Sequence, residues 1–116
     1  MSRYIDLNCD MGESETEASA ALDRELMQFI SSCSIACGGH AGSERTMKQT
    51  AASALDAGLR IGAHPSYPDR ENFGRQSMSI SGSALSIAIT EQTAALKAIV
   101  NELGGRLSFV KPHGAL

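Results

Sequence analysis

Hydrophobic and polar positions along this chain switch repeatedly between two periods. Tyr4-Ile5-Asp6-Leu7-Asn8-Cys9-Asp10 alternates strictly, with Ile5, Leu7 and Cys9 on one side and Asp6, Asn8 and Asp10 on the other. That period predicts a strand. Met11-Gly12-Glu13-Ser14 then reads as a loop, with Glu13 free to reach over the strand end. Leu22, Leu26, Phe29 and Ile30 recur at helical spacing after a cap at Thr16 or Ser19, with Asp23, Arg24 and Gln28 expected outside. A second strand is predicted over Cys33 to Cys37. A second helix follows, capped by Ser43, striped by Met47, Ala51, Ala54 and Leu55, and stopped by Gly58. Leu59 to Ala63 is the third strand. Ser81-Gly82-Ser83 opens a third helix striped by Leu85, Ile89, Gln92, Leu96, Ile99 and Leu103, in which Gln92 is the polar interruption. Gly104-Gly105 stops it, and Arg106 to Lys111 is the fourth strand.

Four strands and three helices in strict alternation predict an α/β fold with a parallel sheet covered by helices. Right-handed connections place successive strands side by side and bring their C-terminal ends to one edge. Four strands do not close a barrel. The pattern therefore reads as a single domain over 1–116, a truncated, partial β/α barrel forming the N-terminal half of a larger one. Such a piece is expected to leave apolar surface and an open edge strand, and to be ordered with a partner, either a second copy or the missing half.

Each histidine of the chain occupies the same place in its module. Ser34-Ile35-Ala36-Cys37-Gly38-Gly39-His40 is an apolar run, a glycine break, then a histidine. Leu59-Arg60-Ile61-Gly62-Ala63-His64-Pro65 repeats the design and enters a loop stiffened by Pro65 and Pro68. Leu107-Ser108-Phe109-Val110-Lys111-Pro112-His113 repeats it again. One histidine in that position is an ordinary turn residue. Three, at ends that the topology gathers on one edge, predict a site there, because open α/β sheets and barrels place chemistry at that edge. Asp6 and Asp10 on the inward face of the first strand are expected to share it, since buried carboxylates are costly unless they bind or react.

Composition narrows the classes. A 42% hydrophobic share argues for a globular fold. Net charge is -3, aromatics are 4% and Trp is absent, which argues against nucleic-acid partners. No stretch has the length of a membrane span and the N-terminus is not a signal peptide, so a cytoplasmic protein is expected. Cys33-x3-Cys37-x2-His40 has spacing that could suggest zinc but lacks a fourth ligand, so Cys9, Cys33 and Cys37 read as reduced thiols, the buried ones as core filler.

Asp6-Leu7-Asn8-Cys9-Asp10-Met11-Gly12-Glu13-Ser14, Ile35-Ala36-Cys37-Gly38-Gly39-His40-Ala41-Gly42, Ile61-Gly62-Ala63-His64-Pro65-Ser66-Tyr67-Pro68-Asp69, Phe73-Gly74-Arg75 and Val110-Lys111-Pro112-His113-Gly114-Ala115-Leu116 together resemble the LamB/YcsF family of lactam-utilisation proteins. The match runs from Ile5 to the last residue. It departs at Gly39, where the family usually has an aromatic residue, and at Ser43-Glu44, where it often has Asp-Pro. The resemblance implies an irregular, TIM-like β/α barrel similar to that of polysaccharide deacetylases. It implies one component of an ATP-dependent 5-oxoprolinase, opening 5-oxo-L-proline to L-glutamate with ATP (with Mg presumed) as co-substrate. It further implies the B and C subunits of that enzyme as partners, with a homo-oligomer as the other assembly considered.

For that reaction, ATP phosphorylates the lactam oxygen and water attacks the activated carbon. Lys111, Arg70 and Arg75 are the cations available to phosphate, and no P-loop sequence is present. Asp10 or Asp6 is expected as general base, with His40, His64 and His113 orienting groups or moving protons. Asn8 and Glu13 are expected to contact substrate or ATP. The alternatives are a metal-dependent amidase of deacetylase type, with Asp10, His40 and His64 holding a divalent ion, and a non-catalytic barrel fragment.

Overall fold

The structure is a computed structural model and describes residues 3–116. Its elements run β1 (Asn8–Met11), α1 (Glu17–Leu26), β2 (Ser32–Ala36), α2 (Glu44–Asp56), β3 (Arg60–His64), α3 (Gly82–Glu102) and β4 (Leu107–Val110). The four strands form one parallel sheet in the order β1-β2-β3-β4. Cys9, Cys33, Ile61 and Leu107 fall in one register row. Met11, Ile35, Ala63 and Val110 make the next row on that face. α2 packs on β2 and β3, α3 on β3 and β4, and α1 against α2. Ile35, Ile61, Leu96 and Val100 are fully buried between sheet and helices. Each such side chain contributes about 1.5–3 kcal/mol on burial.

The rows between carry the other face. Asn8 pairs with Ser32, and Asp10 with Ser34, Gly62 and Phe109. This face is polar at its β1 side: Ser34 Oγ donates to Asn8 Oδ1 at 3.0 Å and Asn8 Nδ2 donates to Ser32 Oγ at 2.9 Å.

The helix caps follow the sequence. Thr16, Ser43 and Ser81 accept from Ser19, Thr46 and Ala84 backbone N–H groups. At Ser43 the Thr46 hydroxyl also accepts from the Ser43 N–H at 2.7 Å, closing a capping box where the family often has Asp-Pro.

Three expectations are corrected. β1 begins at Asn8 rather than Tyr4: Tyr4 and Ile5 are exposed, and the segment meets β2 only at its start, where Ser31 and Ser32 N–H groups donate to Leu7 O. The alternation of that segment is real, but a short edge strand pairs on one side and its leading residues find no ladder. The stripe assigned to α1 holds only in part: Ile30 packs against the core, but Leu22 and Phe29 are 55% and 73% exposed, Met27 is buried in their stead and Asp23 faces inward. Asp23 Oδ2 accepts from Gly12 N–H at 3.0 Å, on the side where Met27 enters the core. β4 is shorter than expected and bulged: Ile61 pairs with Leu107 but Gly62 with Phe109, leaving Ser108 unpaired.

Candidate active site

The C-terminal edge of the sheet gathers all three imidazoles. His64 closes β3, while His40 and His113 follow β2 and β4. All three are buried, at 2%, 2% and 6% exposure. His40 and His113 stack with centroids 3.7 Å apart and an 11° interplanar angle, and His64 meets both rings edge-on.

Each ring is held by a specific partner. His64 Nδ1 donates to the Lys111 carbonyl at 2.6 Å, and its Nε2 faces His113 Nδ1 at 3.0 Å and Asp10 Oδ2 at 3.3 Å. His113 Nε2 donates to the Phe73 carbonyl at 2.8 Å. His40 Nε2 meets Glu13 Oε2 at 2.6 Å, and His40 Nδ1 is buried without a partner among the described residues. Burial is the main force on His64 and lowers its pKa, with His113 and His40 adding to the effect. The Lys111 carbonyl and Asp10 pull the other way without cancelling it. His64 is therefore neutral at pH 7.

Asp10 joins the two outer strands. Lys111 Nζ lies 2.5 Å from Asp10 Oδ1 and donates to Asn8 Oδ1 at 3.1 Å. The lysine is 45% exposed and the aspartate 35%, so this pair forms the mouth of the site.

The loop after β3 supplies the far wall. Phe73 has φ 53°, the one non-glycine residue among those described with a left-handed backbone. That conformation aims its carbonyl at His113 and is held by Gly74 N–H donating to Asp69 O at 2.8 Å. Beneath the loop, the buried Gln92 amide accepts from Ser66 N–H at 3.0 Å and donates to Ser66 O at 2.9 Å. A Cβ at Gly39 would collide with that Gln92 amide and with the Ser66 hydroxyl, so the missing side chain there is packed space.

Several expected site residues lie elsewhere. Asp6 is corrected outright: its carboxylate accepts from the Ser31 and Ser32 hydroxyls at the opposite, N-terminal edge of the sheet. It is exposed, and those two hydroxyls are the main cause of its lowered pKa. Arg70 Nη1 donates to the Gly38 and Gly42 carbonyls at 3.1 and 2.8 Å, bracing the loop that carries His40. Arg75 stands over the Phe73 ring at 5.0 Å. Glu13, expected at substrate or ATP, is the partner of His40. Cys33 and Cys37 are buried in the core, and desolvation pushes their pKa values up to about 12 and about 11. The Phe73 carbonyl and the Gln92 clamp were not anticipated; the polar break in the α3 stripe was the one sign of the latter.

The arrangement offers a carboxylate–lysine pair at the mouth and a buried cluster of three imidazoles behind it. Glu13, His40, His64 and His113 each offer a ligand atom, all within 4.8 Å of one another. This set differs from the anticipated Asp10, His40 and His64. Three imidazoles and one carboxylate suit a borderline transition ion better than magnesium, which favours oxygen ligands. Among the described residues no helix is long and apolar enough to cross a membrane.

Comparison with known proteins agrees with the fold and extends it. The chain is 47% identical over 112 residues to the A subunit of 5-oxoprolinase from Bacillus cereus, covering 97% of this chain and 44% of that protein. It is 49% identical over 116 residues to the A subunit of 5-oxoprolinase from Pseudomonas fluorescens, covering 100% of this chain and 46% of that one. The crystal structure of a lactam utilization protein from Thermus thermophilus superposes with a TM-score of 0.90 at 38% identity, over 97% of this chain and 46% of that chain. The chain thus spans a little under half the length of the relatives it matches. The LamB/YcsF family model matches residues 5–116, and the chain belongs to the LamB/YcsF family.

Proposed function

We propose that this chain contributes the acid–base half of an ATP-dependent 5-oxoprolinase, opening 5-oxo-L-proline to L-glutamate. The observation that carries the reading is the Asp10–Lys111 pair set 3.3 Å from the neutral ring of His64, in a chain 47–49% identical to proteins named as the A subunit of 5-oxoprolinase.

The chemistry asks for two things. A lactam amide resists water until its oxygen is made a better electron sink, and phosphoryl transfer from ATP does that. Water then adds to the carbon, the C–N bond breaks and the ring opens on the amine, and a second water releases phosphate. Lys111, half-exposed at the mouth, supplies positive charge for phosphate oxygens. Asp10 is the general base, with Asn8 Oδ1 and Asp10 Oδ1 holding the lysine between them. His64, locked by the Lys111 carbonyl, lies 3.3 Å from Asp10, and His113, locked by the Phe73 carbonyl, backs His64 at 3.0 Å, so the two rings wall the site behind the base. Arg70 and Arg75 are left as supports of the surrounding loops.

The B and C subunits are the proposed partners, ATP with Mg the co-substrate, and the cytoplasm the compartment. The test is glutamate release from 5-oxoproline by the full-length protein assembled with those partners, with and without ATP. Release that requires ATP is the expected result. Equal release without ATP would favour a simple amidase instead.

A further inference from the structure

The hydrogen bonds of two histidines leave a problem that protein atoms alone do not solve. A carbonyl oxygen has no proton to give. His64 Nδ1, at 2.6 Å from the Lys111 carbonyl, must therefore carry the ring proton, and so must His113 Nε2 at 2.8 Å from the Phe73 carbonyl. With that one proton on each ring, the remaining nitrogens, His64 Nε2 and His113 Nδ1, present lone pairs. They face each other at 3.0 Å. Asp10 Oδ2 adds a third electron-rich atom 3.3 Å from His64 Nε2. Both rings are almost wholly buried. Lone pairs held together in that way repel unless a positive species lies between or beside them.

Two more groups complete the enclosure. Glu13 and His40 bring their own ligand atoms within 4.8 Å of those on His64 and His113. His40 Nδ1 is a buried nitrogen with no partner among the described residues. The two ring-orienting carbonyls are what metal-bound histidines have behind them, fixing the tautomer and leaving one nitrogen free.

We propose that Glu13, His40, His64 and His113 bind one divalent transition ion of the zinc or manganese class, with His64 Nε2 and His113 Nδ1 as its paired nitrogen ligands. Nitrogens 3.0 Å apart lie well within the ~4.2 Å that two metal–nitrogen bonds of ~2.1 Å can span. Asp10 is not one of the four clustered ligand residues; it adjoins them through Oδ2 while Lys111 holds its Oδ1 at 2.5 Å. The inference concerns the same site as the 5-oxoprolinase reading but does not depend on ATP or on lactam turnover.

The experiment uses the full chain freed of metal by a chelator and never calls on catalysis. Cobalt(II) added to one equivalent should give visible ligand-field absorption, and zinc should displace it at a stoichiometry of one per chain. Nitrogen NMR of the histidine rings should show zinc moving His64 Nε2 and His113 Nδ1 while their proton-bearing nitrogens stay protonated. His113→Gln should weaken zinc binding by at least ~10-fold, as loss of a metal ligand or its support does. Asp6→Asn, at the far edge, should leave it unchanged. Magnesium at the same concentration should not compete. The NMR reading needs no variant, so a misfolded mutant leaves the test intact. If one equivalent of zinc leaves both lone-pair nitrogens unmoved, or if they carry a shared proton and no cobalt absorption develops, the site holds a proton and the inference fails.

Discussion

Asp10 and Lys111 belong to the two outer strands of one sheet and the turn that leaves it, yet their charged atoms lie 2.5 Å apart. Three strand spacings of ~4.8 Å would separate those strands by ~14 Å in a flat sheet. The sheet is therefore curled toward its polar face, and this ion pair with Asn8 is where the curl closes. Truncating each partner singly and together should reveal a coupling of ~1 kcal/mol in denaturant melts, the upper range for a partly exposed pair. Additive single effects would mean that the pair does not hold the curl.

Gln92 is a clamp under the loop that carries the site, with both ends of its amide spent on the Ser66 backbone. Replacing it by Leu leaves a buried N–H and a buried C=O unpaired. The expected loss is about 2–4 kcal/mol at equilibrium unfolding in urea. A loss below ~0.5 kcal/mol would show that water takes over the amide's role.

Cys33 and Cys37 are core atoms despite their motif-like spacing to His40. Burial holds their thiols up to about 12 and about 11, so neither forms thiolate near neutrality. Alkylation of native protein at pH 8 should spare both and proceed only after unfolding. Labelling of Cys37 in the folded state would contradict the buried placement.

Asp23 gives the pH dependence a definite sign. Burial is the largest influence and raises its pKa, Glu13 adds to it, and the Gly12 N–H opposes. A carboxyl whose folded pKa lies above its unfolded value favours the fold most at low pH, and that contribution is lost as pH rises through the folded pKa. At pH 7 the half-buried carboxylate is a cost. Asp23→Asn keeps an acceptor for Gly12 without the charge, so it should melt higher than wild type at pH 7. The gap should close as pH falls below about 3.8, where the unfolded aspartate also protonates. A variant less stable at pH 7 would mean that the charge itself holds the Gly12 turn.

Element order, the caps at Ser43 and Ser81, and the shared edge of the three histidines were all legible in the sequence. Each rests on local periodicity or turn chemistry that acts within a few residues. Asp6 was misplaced because alternation over Tyr4–Asp10 does not reveal where pairing with β2 starts. The rotation of α1 was misjudged because Leu22 and Phe29 look like a core stripe, whereas Met27 enters the core and Asp23 faces in to accept from the Gly12 N–H. The Phe73 carbonyl had no sequence signal at all. Backbone groups carry none, and only the left-handed turn before Gly74 aims it at His113.

The most direct check is turnover of 5-oxoproline to glutamate, with ATP, by full-length protein carrying His64→Ala or Asp10→Asn and assembled with its partners. Asp10→Asn removes the proposed general base and His64→Ala the buried imidazole beside it, and each should lower the rate by ~100-fold or more. Variants that fold, assemble and retain the full rate with an unchanged pH profile would show that the chemistry lies somewhere other than this edge of the sheet.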